Sequence, residues 1–215
     1  MFCESKIESQ WIYAHRGIWN SNMQLQNSKQ AVDDAIRNGF SCEIDLQSSS
    51  GEIHITHSPI QIAQISNINN FNLNVGNFAF NIKSDGLFNL GQFNTNLNVG
   101  SSSFFFDGSI PEMLKYRNLG IKHALRLSEF ERNLPWKSDV IWVDGFYEDW
   151  WIKNDGNLLN IQDVEYVFVS PEIHGRNPHN TWRWVTQRRH KNKLNYSVCT
   201  DFPLELFEHY KIYTN

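Results

Sequence analysis

Residues 11–46 read WIYAHRGIWNSNMQLQNSKQAVDDAIRNGFSCEIDL, and this stretch decides the fold class. Trp11–His15 is an apolar run of strand length. Ser28 is an N-cap residue type, and it precedes Ala31, Val32, Ala35 and Ile36, which mark one face of a helix. Asn38-Gly39 stops that helix, as glycine does just past a helix end. Ser41–Leu46 is a second strand. Strand, helix and strand in this order form a crossover unit of a parallel sheet.

The same alternation runs through the chain. Further strand-like runs are Phe78–Lys83, Ser103–Asp107, His123–Leu127, Val140–Val143, Tyr166–Ser170 and Tyr196–Thr200, making eight with the first two. Helices are expected over Gly86–Leu97, Ile110–Asn118 and Pro178–Gln187. Gly51–His57 reads as a short extended segment. The asparagine-rich Ser58–Asn77 reads as a loop with a short helix over Ile60–Ile65. Eight parallel strands with crossover helices predict a compact (β/α)8 TIM barrel, an α/β fold, with some short outer helices; Ser128–Asp139 is too short for a full one. An open doubly wound sheet is the alternative. No internal repeat or linker divides residues 1–215, so one domain is expected.

Composition narrows the class of partner. The chain has 215 residues, 40% of them hydrophobic and 14% aromatic, which argues against disorder. A formal net charge of −4 gives no electrostatic case for nucleic acid. Arg188-Arg189-His190-Lys191-Asn192-Lys193 follows a helical pattern and reads as a cationic helix C-terminus rather than a phosphate or nucleic-acid patch. Cys3, Cys42 and Cys199 match no zinc or redox spacing. No stretch is long enough and apolar enough for a transmembrane segment, and residues 1–10 are too polar for a signal peptide. A cytoplasmic protein is expected.

Polar residues close nearly every predicted strand. In a parallel barrel these ends face the active site. They are His15 and Arg16; Glu43 and Asp45; Asn81 and Lys83; Asp107; Arg126; Asp144; then Glu172 and Asp201. Glu43 and Asp45 are two apart, so both face one side of their strand. With Asn81 they are oxygen donors suited to Mg²⁺ or Ca²⁺, and Lys83 is placed for a phosphate oxygen. The same carboxylates equally suit internal salt bridges to Lys83 or Arg126. His15 and His57, each ending an extended run, suit acid–base chemistry near neutral pH. His174, Glu172, Arg126 and Trp19 are candidate substrate contacts, although no motif supports His174 and it reads first as an ordinary loop residue. Trp19, Phe146, Trp150 and Trp151 fall in predicted loops, where they either stack on a sugar or choline group or pack the loops.

The order AHRG, then Asn27-Ser28 opening a helix, then CEIDL, then GEIHITH resembles the glycerophosphodiester phosphodiesterases. They belong with the phosphatidylinositol-specific phospholipases C and the spider-venom-type phospholipases D. Cys199-Thr200-Asp201-Phe202-Pro203 is similar to the T-D-x-P ending of the family's last barrel strand. The resemblance implies a (β/α)8 barrel and divalent-metal-dependent cleavage of a small phosphodiester substrate. It implies His15 and His57 as the acid–base pair, Arg16 and Lys83 as phosphate-binding groups, and Glu43 and Asp45 as metal ligands. Either hydrolysis or release of a cyclic phosphate fits these residues; a binding barrel without turnover is the non-enzymatic alternative. The chain departs from the pattern at Gln26, where the family has Glu; at Ser58, where it has Asp; and at Asn81, where a third metal carboxylate stands. An amide oxygen at Asn81 contributes no charge, so weaker metal affinity is expected.

Overall fold

The computed structural model describes residues 9–49, 52–55, 69–75, 78–84, 97–98, 103–118, 122–153, 163–191 and 195–214. Its centre is a nearly closed ring of seven parallel strands. They are β1 (Ile12–His15), β2 (Ser41–Ser49), β7 (Phe104–Phe106), β8 (Ala124–Leu127), β9 (Val140–Val143), β10 (Glu165–Val169) and β11 (Tyr196–Thr200). In between lie β3 (Glu52–Ile55), β4 (Asn69–Val75), β5 (Phe78–Ser84) and β6 (Leu97–Asn98). Round the ring the order is β2-β1-β11-β10-β9-β8, and β7 pairs with β2 on the other side. A single parallel bridge, Phe105 to His123, joins β7 toward β8 and nearly closes the circle.

Alternation along each strand makes two cores. Inward-facing Tyr13, Phe104, Phe106, Trp142, Val167, Val169 and Cys199 fill the barrel interior. Their neighbours Ile12, Ala14, Cys42, Ile44, Phe105, Ile141 and Phe168 face outward, where helices cover them. Helix α1 (Lys29–Arg37) crosses from β1 to β2, capped as expected by Ser28, whose hydroxyl accepts from the Ala31 amide. Helix α2 is Ile110–Asn118, α3 is the four-residue Trp150–Lys153, α4 is His179–His190 and α5 is Pro203–Thr214. Residues 128–139 form no helix, as the sequence suggested. The basic run Arg188-Arg189-His190 forms the last turn of α4. No helix among the described residues is long and apolar enough to cross a membrane.

The ring departs from the eight-strand expectation at one element. Phe78–Ser84 is a strand, but it pairs parallel to β3 and antiparallel to β4. These strands extend from the last residues of β2, Leu46–Ser49, which pair antiparallel with β3. The place beside Glu43–Asp45 belongs to β7. A parallel barrel strand is buried on both faces. Phe104, Phe105 and Phe106 meet that demand, being 0%, 1% and 7% exposed. FAFNIK alternates apolar residues with Asn81 and Lys83, a pattern suited to a one-sided sheet. The asparagine-rich region also holds a strand, Asn69–Val75, where a loop was expected. The short helix expected at 60–65 lies outside the described residues, as does nearly all of the one expected at 86–97.

Gly17 fixes the turn from β1 toward the cavity. Its φ is +86°, and a Cβ there would lie 2.5 Å from the carbonyl carbon of Ala31 in the first turn of α1. Gly17→Ala therefore combines left-handed strain with a backbone clash, and costs about 2–5 kcal/mol. A loss of that size in the unfolding free energy from a urea titration of the Ala variant is the expected measurement; an unchanged midpoint contradicts this packing.

Candidate active site

The carboxyl ends of the ring strands open onto a cavity of about 400 Å³. His15, at the inward-facing end of β1, is only 6% exposed. Its Nδ1 lies 2.7 Å from Oδ1 of Asp201, which follows β11. A carboxylate only accepts, so Nδ1 carries the proton and Nε2 is left to exchange one. Asp201 is held in turn: its backbone amide donates to Oε1 of Glu172 at 3.1 Å. Glu172 also accepts from the hydroxyls of Ser170 and Thr200. Burial raises its pKa, and these hydrogen bonds work against the rise.

Arg16 turns back toward β2 because its backbone is left-handed, with φ of +59°. Its Nε lies 2.7 Å from Oδ2 of Asp45, and its Nη1 donates to Gln26 at 3.2 Å. Asn27, also left-handed with φ of +58°, donates to Asp45 Oδ2 at 2.7 Å and accepts from the Asp45 amide at 3.1 Å. Gln26, Asn27 and Ser28 thus hold Arg16, Asp45 and the start of α1 respectively. Strained non-glycine residues clustered at one cavity are characteristic of functional sites.

Glu43 sits beside this pair, 1% exposed. Its Oε2 accepts from the Arg16 amide at 3.3 Å, while its Oε1 is buried without a hydrogen-bond partner among the described residues. Burial first, then the neighbouring Asp45 charge, pushes its pKa well above the ordinary carboxylate value; Arg16 opposes the rise. An orphaned buried carboxylate oxygen beside a second carboxylate fits a hard cation. Among the described residues, no group of three or more His, Cys, Asp or Glu is arranged to hold a metal.

The raised pKa has a signed consequence for stability. Folded Glu43 keeps its proton to higher pH than the unfolded chain does. Without a cation, stability therefore falls as pH rises from the ordinary carboxylate range through the raised value. Glu43→Gln removes that slope. In chelator it should melt above the parent protein at alkaline pH, with the gap closing on acidification. A pH-independent gap contradicts this assignment.

Of the residues singled out in the sequence, His15, Arg16, Trp19, Gln26, Glu43, Asp45, Asp107, Arg126, Asp144, Phe146, His174 and Asp201 line this cavity. Trp19 donates its indole N–H to the His15 carbonyl at 3.1 Å. Glu172 stands behind Asp201 rather than on the lining. His57 and Ser58 lie outside the described residues. Asn81 and Lys83 lie in β5, outside the ring; their registers are Asn72–Asn81, Asn70–Lys83 and His54–Lys83. Among the described residues the cation paired with Asp45 is Arg16 rather than Arg126, and the alternative pairing with Lys83 lies outside the described side chains. Arg126 instead faces Asp107, Asp144 and Glu131 at 3.6, 3.6 and 3.7 Å. Trp150 and Trp151, 3% and 0% exposed, belong to the core rather than to a substrate surface.

Asp107, Asp144 and Asp201 were legible as strand-end residues, but nothing in the sequence gave them partners. The inward period-two positions were the available signal. Phe106, Trp142 and Phe146 complete an aromatic flank of the cavity.

No protein-family model, curated protein or solved structure matches this chain.

Proposed function

We propose that this chain is a phosphoric diester hydrolase of the glycerophosphodiester phosphodiesterase type, built on a variant of the (β/α)8 barrel. Its substrate would be a small glycerophosphodiester or sugar-linked phosphodiester. The observation that carries the reading is His15, oriented by Asp201, in one cavity with Arg16 and the buried Glu43–Asp45 pair. Resemblance supplies the family; the cavity supplies chemistry consistent with it.

Glu43 and Asp45 would hold a divalent cation, Mg²⁺ or Ca²⁺, with Asn81 as the third donor by resemblance. When bound, that cation supplies Lewis-acid neutralisation of the phosphate. Arg16 adds positive charge where negative charge grows on the phosphoryl oxygens. Lys83 is assigned the same task by resemblance. His15 Nε2 exchanges a proton with the attacking or leaving oxygen, and Asp201 stabilises the imidazolium that forms. Resemblance assigns its counterpart to His57.

The Arg16–Asp45 ion pair favours a second reading, a phosphate-binding barrel without turnover, because it already neutralises one of the two carboxylates. A panel of glycerophosphodiesters assayed with and without divalent cation separates the two. Phosphomonoester release that depends on the cation supports the hydrolase. Phosphodiester binding with no product at any cation concentration contradicts it.

A further inference from the structure

The cavity contains a second histidine held in the same manner as His15. His174 closes a short 3-10 turn, Pro171–His174, that follows β10. The turn is pinned: Gly175 ends it with φ of +70°, and the Arg176 amide donates to the Pro171 carbonyl at 3.0 Å. His174 Nε2 lies 2.7 Å from Oδ1 of Asp144. Asp144 follows β9 and is 3% exposed. Its other oxygen faces Trp142 Nε1 at 3.3 Å and Arg126 Nε at 3.6 Å. The Asp144 backbone is fixed too, its carbonyl accepting from Trp150 Nε1 at 2.7 Å. The His174 ring packs on Phe146, with centroids 5.0 Å apart.

A carboxylate acceptor puts the proton on Nε2 of His174 and leaves Nδ1 to exchange one with a ligand. Asp144 stabilises the protonated ring, as Asp201 does for His15. Two strands round the ring from each other, the two histidines thus present different nitrogens to one cavity. Their surroundings differ. His15 stands beside Arg16 and Glu43, where a phosphate finds charge. His174 stands among Phe146, Trp142 and Ile173, where the organic part of an ester finds apolar surface.

We propose that His174, in place of the His57 that the resemblance implies, is the general acid that protonates the leaving alkoxide, with Asp144 as its positioning residue. This rests on the phosphodiesterase reading above. In the step, water oxygen attacks phosphorus and loses its proton to His15 Nε2. The bond from phosphorus to the leaving oxygen breaks, its electron pair stays on that oxygen, and the His174 Nδ1 proton joins it. Phosphomonoester and alcohol depart, and the two rings return to their starting protonation through solvent.

The test compares His174→Gln with the parent protein on two glycerophosphodiesters in the presence of divalent cation. One carries an alkyl alcohol and the other p-nitrophenol, which leaves without protonation. His174→Gln should lose ~10²–10⁴-fold in kcat on the alkyl ester and only a few-fold on the nitrophenyl ester. Its alkyl pH–rate profile should lose the alkaline limb. Asp144→Asn should show the same selectivity with a smaller loss, and a thermal melt establishes that each variant is folded. An equal loss on both esters, or no loss, overturns the role of His174. The same selectivity in His57→Ala with His174→Gln unaffected also overturns it, and assigns the acid to His57. A parent protein that cleaves neither ester contradicts the phosphodiesterase reading, and this role with it.

Discussion

His15→Ala is expected to lower kcat/KM on a glycerophosphodiester by ~10²–10⁴-fold, the usual worth of a positioned proton-transfer group. The ring is buried, its Nδ1 is committed to Asp201, and the remaining nitrogen belongs to the same cavity as Arg16 and Glu43. Asp201→Asn tests the orienting half of the pair. It leaves the imidazole present but takes away the charge that stabilises its protonated form, so a smaller loss is expected, with the acidic limb of the pH profile displaced. Near-normal turnover in His15→Ala contradicts the role. Equal binding of a phosphodiester by both proteins, alongside lost turnover, separates proton transfer from recognition.

Arg16→Ala is expected to be the most destabilising charge change at the site. Asp45 is 2% exposed and Glu43 1% exposed, and among the described residues Arg16 is the cation that faces them. Removing one member of a buried ion pair costs about 3–5 kcal/mol, because the remaining charge is left uncompensated. Lysine does not replace it, since the Nε contact to Asp45 and the Nη1 contact to Gln26 use two arms of one planar fork. A double variant, Arg16→Ala with Asp45→Asn, should recover much of the lost stability, which a double-mutant cycle in urea measures. Additive losses contradict the pairing. Addition of Mg²⁺ or Ca²⁺ should also restore part of the stability of Arg16→Ala, since a cation replaces the missing charge.

How far the sequence was legible follows from the range of each interaction. Ser28 capping α1, Gly39 ending it, and the inward period-two placement of Glu43 and Asp45 depend on neighbours a few residues away. They were readable. So was the alternation that builds a parallel ring. The position of Phe78–Ser84 was not, because its strand character is local while its partner is chosen by competition with Phe104–Phe106 for the edge of β2. The Arg16–Asp45 pair was hidden for a different reason. It depends on a left-handed Arg16, a conformation no residue pattern announces. His174 and Asp144 are 30 residues apart in sequence and meet only because β9 and β10 are adjacent in the ring. Trp150 and Trp151 looked like loop residues; packing on Phe168 and within the outer core places them inside.

Phosphorus NMR of a glycerophosphodiester incubated with the parent protein, with divalent cation and then with chelator, tests the central claim most directly. The account predicts that the diester resonance is replaced by that of a phosphomonoester, that chelator stops the conversion, and that His15→Ala slows it by at least ~10²-fold. A diester resonance that persists unchanged with cation present, across alkyl and sugar-linked esters alike, would contradict it.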